Sequence, residues 1–444
     1  MHDRHVALYR TVWRWHFYAG LFVIPFILVL AVSGSIYLFK PQIERWEERA
    51  YQGMPVEGAV SADVQLKAVL DALSGANFLS YRLPQKNGDA TAITVALPGI
   101  ASTESRQVFV SPQGRVLGSL DPEARLTAIV ARLHGQLLLG PTGSWLVELA
   151  ACWAIVMLLT GLYLWWPRER RLAGVLWPRL GSGGRAFWRD LHAVTGFWVS
   201  MFALILLVTG LPWAAVWGSA FRAVRTEMGW MNGPQSWSIG GRVSTSEQHG
   251  SPAGNAPHIG TSLAKALPVM VEKAAHETLD FPVLVIPPGA PQRFASPVAA
   301  WTIKSETQIR PRQTTILFDP VSLEQVSREN FSDRHPIDRA VGYGVAWHEG
   351  QLFGWPNQLI GLITATCLIV LAMTGFVMWR LRKPVGALGA PAPLQTPVRA
   401  RHLAVMLVIL AALLPLLAMS LVAIGLFEQL IVRRNARIAN WLGA

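Results

Sequence analysis

The chain has 444 residues, of which 52% are hydrophobic and only 15% charged. Soluble domains carry roughly a quarter charged residues, so this composition excludes an ordinary soluble protein and fits a chain built for a lipid bilayer. A net charge of +12 would point to nucleic acid in a soluble protein, but here the basic residues crowd short loops between apolar runs, so no nucleic-acid partner is expected.

About 20 apolar residues span the hydrocarbon core. In chain order, residues 1–39 hold Arg4, Arg10 and Arg14 and then an uncharged run, Phe17 to Phe39. That run is too long for a signal peptide and lacks a small-x-small cleavage site, so it reads as an uncleaved anchor. Residues 40–133 are mixed: "SADVQLKAVLDAL" has helical periodicity, and alternating strand-like runs end in the hairpin "RQVFVSPQGRVLGSL". Residues 134–166 read as a short helix at His134, a break at "GPTG" and a span from Leu149 to Trp166. A basic loop, 167–190, carries Arg168, Arg170, Arg171, Arg179, Arg185 and Arg189, and 191–221 is the third span.

Residues 222–347 repeat the mixed pattern, with a Gly/Ser/Pro/Asn-rich flexible loop at 232–260, a helix at "SLAKALPVMVEKAA" and a hairpin at "TTILFDPVSLEQVSR". Residues 348–380 give His348, a break at "GWPN" and the span Leu352 to Trp379; 381–401 is a linker. Residues 402–444 hold a fifth span, Leu403 to Phe427, and a tail. The positive-inside rule puts the N-terminus and basic loops in the cytoplasm and both mixed segments on the far side. Arg433, Arg434 and Arg437 then fall outside by counting, against the same rule. The expected fold is a mainly α-helical membrane protein. It is a helical bundle of two repeated two-span units plus one extra C-terminal span, with two small α+β domains outside.

The repeat is carried by spacing. His16 to Gly20 and His192 to Gly196 are both four residues; His16 to Gly34 and His192 to Gly210 are both 18; His134 to Gly161 and His348 to Gly375 are both 27. A lone histidine at a span boundary is an ordinary interfacial residue, and His249, His258, His276 and His335 read as surface residues. Four at matched positions point to haem iron, which takes imidazole on opposite faces, with ligands from facing helices. His16 with His192 would hold an inner haem, and His134 with His348 an outer one, as axial ligands of two haem b. Gly20 and Gly196 lie near the histidine faces, where a flat macrocycle needs a missing side chain. Arg14 and Arg189 are close enough to meet propionates, and His402 is an alternative inner ligand. Cys152 and Cys367 fall inside spans, and no CxxCH exists for covalent haem.

With "WHFYAGL", "LHAVTGFW", "LHGQLLLG", "WHEGQLFG" and the hairpin "VFVSPQGRVLG", the chain up to about residue 383 resembles the PepSY-associated transmembrane family. Within that family it is similar to inner-membrane ferric-siderophore reductases of Gram-negative bacteria. The resemblance implies PepSY-like domains in the periplasm and a di-haem b-type cytochrome. It implies an oxidoreductase that reduces ferric siderophores there and releases Fe(II). The fifth span departs from the four-span form of that group. No nicotinamide or flavin fingerprint stands between a strand and a helix, so the electron donor is a quinol or a cytoplasmic reductase. Two other readings stay open: a non-enzymatic regulator that binds peptides or a partner, and a cytochrome b that exchanges electrons with quinone.

Overall fold

The computed structural model describes residues 2–97, 105–167, 173–179, 181, 183–230, 261–291, 297–391 and 401–443. The expected loop at 232–260, and Arg168, Arg170 and Arg171, lie outside the described residues. Helix α1 (His2–Tyr37) is continuous through Pro25, a residue that membrane helices tolerate. It leads to α2 (Lys40–Glu47), α3 (Ala62–Ala72) and strands β1 (Asn77–Arg82), β2 (Thr91–Ala96), β3 (Ser105–Val110) and β4 (Val116–Leu120). Helix α4 (Leu126–Gln136) ends at Leu137 and Leu138, both with positive φ, before α5 (Gly140–Trp165), α6 (Gly184–Gly210) and α7 (Ala215–Glu227).

The second mixed segment gives α8 (Thr261–His276), β5 (Val283–Ile286), β6 (Trp301–Ser305), β7 (Thr314–Phe318), β8 (Gln325–Asn330) and α9 (Pro336–His348). After it come α10 (Trp355–Arg382), α11 (Arg401–Leu413), α12 (Pro415–Phe427) and α13 (Ala436–Leu442). Five helical stretches are long and apolar enough to cross a membrane: Ala7–Tyr37, Gly140–Trp165, Gly184–Trp213, Trp355–Arg382 and Pro415–Val432. The chain divides into two compact units. One holds residues 1–38, 131–224 and 359–444, and the other 39–130 and 225–358.

The strand-bearing unit corrects an expectation. The two mixed segments do not make separate α+β domains; their strands form one antiparallel sheet in the order β4-β3-β2-β1-β5-β6-β7-β8. The join is β1 on β5, pairing Tyr81 with Val285 and Arg82 with Leu284. Each four-stranded half would otherwise present an edge of unpaired N–H and C=O groups, and the two edges satisfy one another. Helices α3 and α8 bury Val69, Leu267 and Met270 against Ile93, Val95, Trp301, Ile303 and Ile316 in a shared core. Tyr51 stacks on Phe109 in a smaller cluster. An ionic network holds α2: Arg125 reaches Glu47 at 2.8 Å and Glu48 at 2.7 Å, and Arg82 reaches Glu48 at 2.7 Å.

In the membrane-spanning unit α5 packs against both α1 and α6. Glu148 of α5 is buried and accepts the N–H groups of Val216 (2.8 Å) and Trp217 (3.0 Å). Its carboxylate caps the free N-terminus of α7, where the helix dipole favours negative charge.

The expected fifth span, Leu403 to Phe427, is divided, and the stretch long and apolar enough to cross a membrane is Pro415–Val432. Pro415 cannot continue the ladder, so the run breaks at Leu414 (φ −127°, ψ 86°) into α11 and α12. With 13 residues, α11 is about 20 Å long, short of the roughly 30 Å core. Its last carbonyl, on Leu413, accepts from the Trp217 indole at 3.0 Å. The guanidinium of Arg14 donates both to the carbonyl of Pro391, before α11, and to that of Gly443, after α13. The Tyr18 hydroxyl donates to the Leu442 carbonyl at 2.7 Å. The stretch therefore leaves and returns to the Arg14 end of α1.

The Glu48 network gives a signed pH dependence. Burial pushes its carboxyl up, but the guanidinium groups of Arg82 and Arg125 outweigh that and hold it below the usual range. The resulting stabilisation is present above an unfolded pKa of about 4.3 and is lost as pH falls through the lower folded value. Melting curves between about pH 6 and pH 3 should fall more steeply for the wild type than for Glu48→Gln. Arg125→Ala should cost about 2 kcal/mol near neutral pH, less than a fully buried pair because Glu48 keeps Arg82.

Candidate functional site

His16 on α1 and His192 on α6 face each other: their ring centroids lie 6.5 Å apart with planes at 88°. Two metal–imidazole bonds of about 2 Å, plus about 1.1 Å from each nitrogen to its ring centre, require about 6.2 Å between centroids. The centroid separation is close to that span. Among the described residues, no group of three or more His, Cys, Asp or Glu side chains is placed to hold a metal.

The second nitrogen of each ring decides what the first can do. Nδ1 of His16 lies 3.0 Å from Thr160 Oγ1 on α5, and Nδ1 of His192 lies 2.9 Å from Thr374 Oγ1 on α10. Both threonine hydroxyls already donate to carbonyls one turn back, Val156 at 2.8 Å and Val370 at 2.7 Å. A hydroxyl has one proton to give. Its oxygen therefore accepts from the ring, Nδ1 carries the imidazole proton, and the Nε2 lone pair is left bare, as a metal ligand requires.

His134, at the end of α4, is held in the same way. Its Nδ1 is 3.0 Å from Ser33 Oγ on α1, and the Ser33 hydroxyl donates to Val29 at 2.7 Å. Each of these three rings also rests on the glycine that follows the hydroxyl residue. A Cβ on Gly34 would lie 3.1 Å from His134 Cε1, one on Gly161 3.3 Å from His16 Cε1, and one on Gly375 3.6 Å from His192 Cε1. Ser33–Gly34, Thr160–Gly161 and Thr374–Gly375 are thus a recurring seat for an imidazole. The hydroxyls escaped the sequence reading, although the dipeptides stand in plain view. His348 closes α9 in the strand-bearing unit, on a short helix before a span as expected.

Other expected site residues sit differently. A Cβ on Gly20 would meet Met157 at 3.4 Å, and one on Gly196 would meet Leu371 at 3.5 Å. These glycines face the adjacent helices, because four residues overshoot the histidine face by about 40°. The glycines against the rings come from the partner helices. Arg14 is committed to the carbonyls of Pro391 and Gly443, and Arg189 pairs with the buried Asp190 at 2.9 Å, beside Arg179 at 2.6 Å. Arg382 stands nearer in space: its guanidinium lies 5.0 Å from the rings of Trp13 and Phe17, beside His16 in sequence. Its buried Nε has no hydrogen-bond acceptor among the described residues. The side chain of His402, on α11, lies outside the described residues.

A family model described as PepSY-associated TM region matches residues 13–382. No curated protein matches the chain.

The seats can be tested without any bound group. Gly161→Ala and Gly34→Ala bring a methyl within 3.3 Å and 3.1 Å of a held ring, whereas Gly375→Ala makes an ordinary 3.6 Å contact. Thermal melting in detergent should show a loss of about 1 kcal/mol for each of the first two, at the low end of overpacking costs, and little change for the third.

Proposed function

The chain belongs to the PepSY-associated transmembrane family, and from that premise we propose that it is a di-haem b-type cytochrome that reduces ferric siderophores. The observation that carries the reading is the His16–His192 pair: 6.5 Å apart, perpendicular, with both Nδ1 atoms occupied. When bound, haem supplies one-electron transfer, the chemistry that turns chelated Fe(III) into the weakly held Fe(II). Everything else falls to the chain. His16 and His192 would hold the inner haem. His134, whose ring is seated on Ser33 and Gly34, would hold the outer one, with His348 as its partner on the sequence spacing.

Thr160, Thr374 and Ser33 fix the tautomer and aim Nε2. Arg382 offers a cation for a carboxylate beside the inner pair. In this reading the membrane is the bacterial inner membrane, with the Arg14 end of α1 in the cytoplasm and the strand-bearing unit in the periplasm. Arg433, Arg434 and Arg437 then return to the cytoplasmic side, in keeping with the positive-inside rule. Electrons come from a quinol or a cytoplasmic reductase.

Purified protein should show the Soret and α bands of a low-spin b-type cytochrome and two haems per chain; a colourless protein rules the reading out. His16→Ala and His192→Ala should each remove about half the haem. Thr160→Val and Thr374→Val, which keep the shape but remove the acceptor, should weaken haem retention about 10- to 100-fold, and Thr160→Ser should restore it. Dithionite-reduced protein should be reoxidised by a ferric siderophore, and faster than by a quinone.

A further inference from the structure

Helix α9 carries a second site besides His348. A cavity of about 300 Å³ opens where α9 meets the start of β7 and the end of β8, and its lining includes Arg339, Tyr343, Arg312, Gln313, Asn330 and Ser332. Two guanidinium groups and no carboxylate line it, so its field favours an anion. Arg312 already reaches Asp280 at 3.3 Å. Arg339 has no such partner among the described residues, and its Nε is buried without an acceptor. Gln313 is buried, donates through Nε2 to the Thr307 carbonyl at 2.8 Å, and leaves Oε1 with no donor among the described residues.

Buried polar atoms are almost always satisfied, so a donor and an acceptor left open on one cavity call for a ligand. That ligand must offer an anionic oxygen to Arg339 and a hydroxyl or N–H to Gln313. Arg339 and Tyr343 stand one turn apart on the same face of α9. His348 follows Tyr343 by five residues, about 7.5 Å along the axis and rotated away by about 140°. A ligand in the cavity would therefore be near the outer histidine without touching it, as outer-sphere electron transfer allows.

We propose that this cavity seats a hydroxycarboxylate arm of a ferric chelate, the carboxylate on Arg339 and the hydroxyl on Gln313. The identity of the chelate as substrate rests on the reductase reading above; the anion site does not. The volume is at the lower bound for ligand pockets, enough for one arm while the bulk of the chelate stays outside.

Gallium citrate tests it, because Ga(III) copies the ferric chelate and is not reduced. Calorimetric titration of the full-length protein in detergent should give measurable binding that Arg339→Ala weakens at least tenfold, since a charge-assisted bond is lost. Arg339→Lys should fall between, and Gln313→Leu should weaken binding by a smaller factor. A neutral gallium trihydroxamate should bind the wild type and Arg339→Ala alike. Unchanged gallium citrate affinity in a folded Arg339→Ala protein overturns the proposal. So does loss of a co-purified anionic phospholipid from that variant in native mass spectrometry with gallium citrate binding intact, which would assign the site to a headgroup. Gallium citrate bound at Arg339 in a protein without haem bands would uphold the site and remove the reductase reading.

Discussion

The bundle is organised by the need to satisfy one N–H on each histidine it buries. In hydrocarbon an unsatisfied polar group costs several kcal/mol, so the Nδ1–H of His16 needs an acceptor on a neighbouring helix. Thr160 provides it, and this fixes both the rotation of α5 about its axis and its height against α1. Gly161, the next residue, removes the side chain that would keep the ring from its seat. Thr374 and Gly375 impose the same condition on α10 against α6. Satisfying one nitrogen exposes the other. The same contacts that set the packing therefore also leave an unprotonated Nε2 on each of two rings whose centroids lie 6.5 Å apart.

The remaining polar groups in this unit act as ties, which a membrane bundle needs because lipid provides no hydrophobic drive between helices. Glu148 gathers the N-terminus of α7, and Arg14 gathers both ends of the C-terminal hairpin. Arg14 looks in sequence like a charge anchoring the first span. Its guanidinium has several donors in a fixed fork, and here they are spent on main-chain carbonyls more than 370 residues away in sequence. In the other unit the equivalent tie is backbone pairing, the β1–β5 contact that turns two edges into the middle of one sheet.

What could be read from the sequence was whatever depends on local pattern. The first four spans, α3, α8, both hairpins and the short helices that bear His134 and His348 all follow from hydrophobic periodicity and turn residues. The pairing of His16 with His192 was also legible, because matched spacing is a one-dimensional signal of a three-dimensional relation. Partnerships between distant segments were not. Nothing in "NFLSYR" or "VLVI" says that each edge meets the other. A run of apolar residues from Leu403 to Phe427 has the length of a crossing whether or not the helix breaks at Leu414. The protein neighbours of Gly20, Gly196, Arg14 and Arg189 were hidden for a related reason: spacing along one helix cannot tell which neighbour that face meets.

The hydroxyls were missed for a different reason, and it is instructive. A serine or threonine in a membrane helix satisfies itself on the carbonyl one turn back, so from sequence it needs no tertiary explanation. What gives it meaning is a glycine immediately after it and a histidine on the facing helix. In the first half the exchange is reciprocal: α1 brings His16 and the Ser33–Gly34 seat, and the chain around α5 brings His134 and the Thr160–Gly161 seat. In the second half α10 brings Thr374–Gly375 to His192. Thr209, before Gly210 on α6, makes the same local bond, its hydroxyl donating to the Ile205 carbonyl at 2.7 Å.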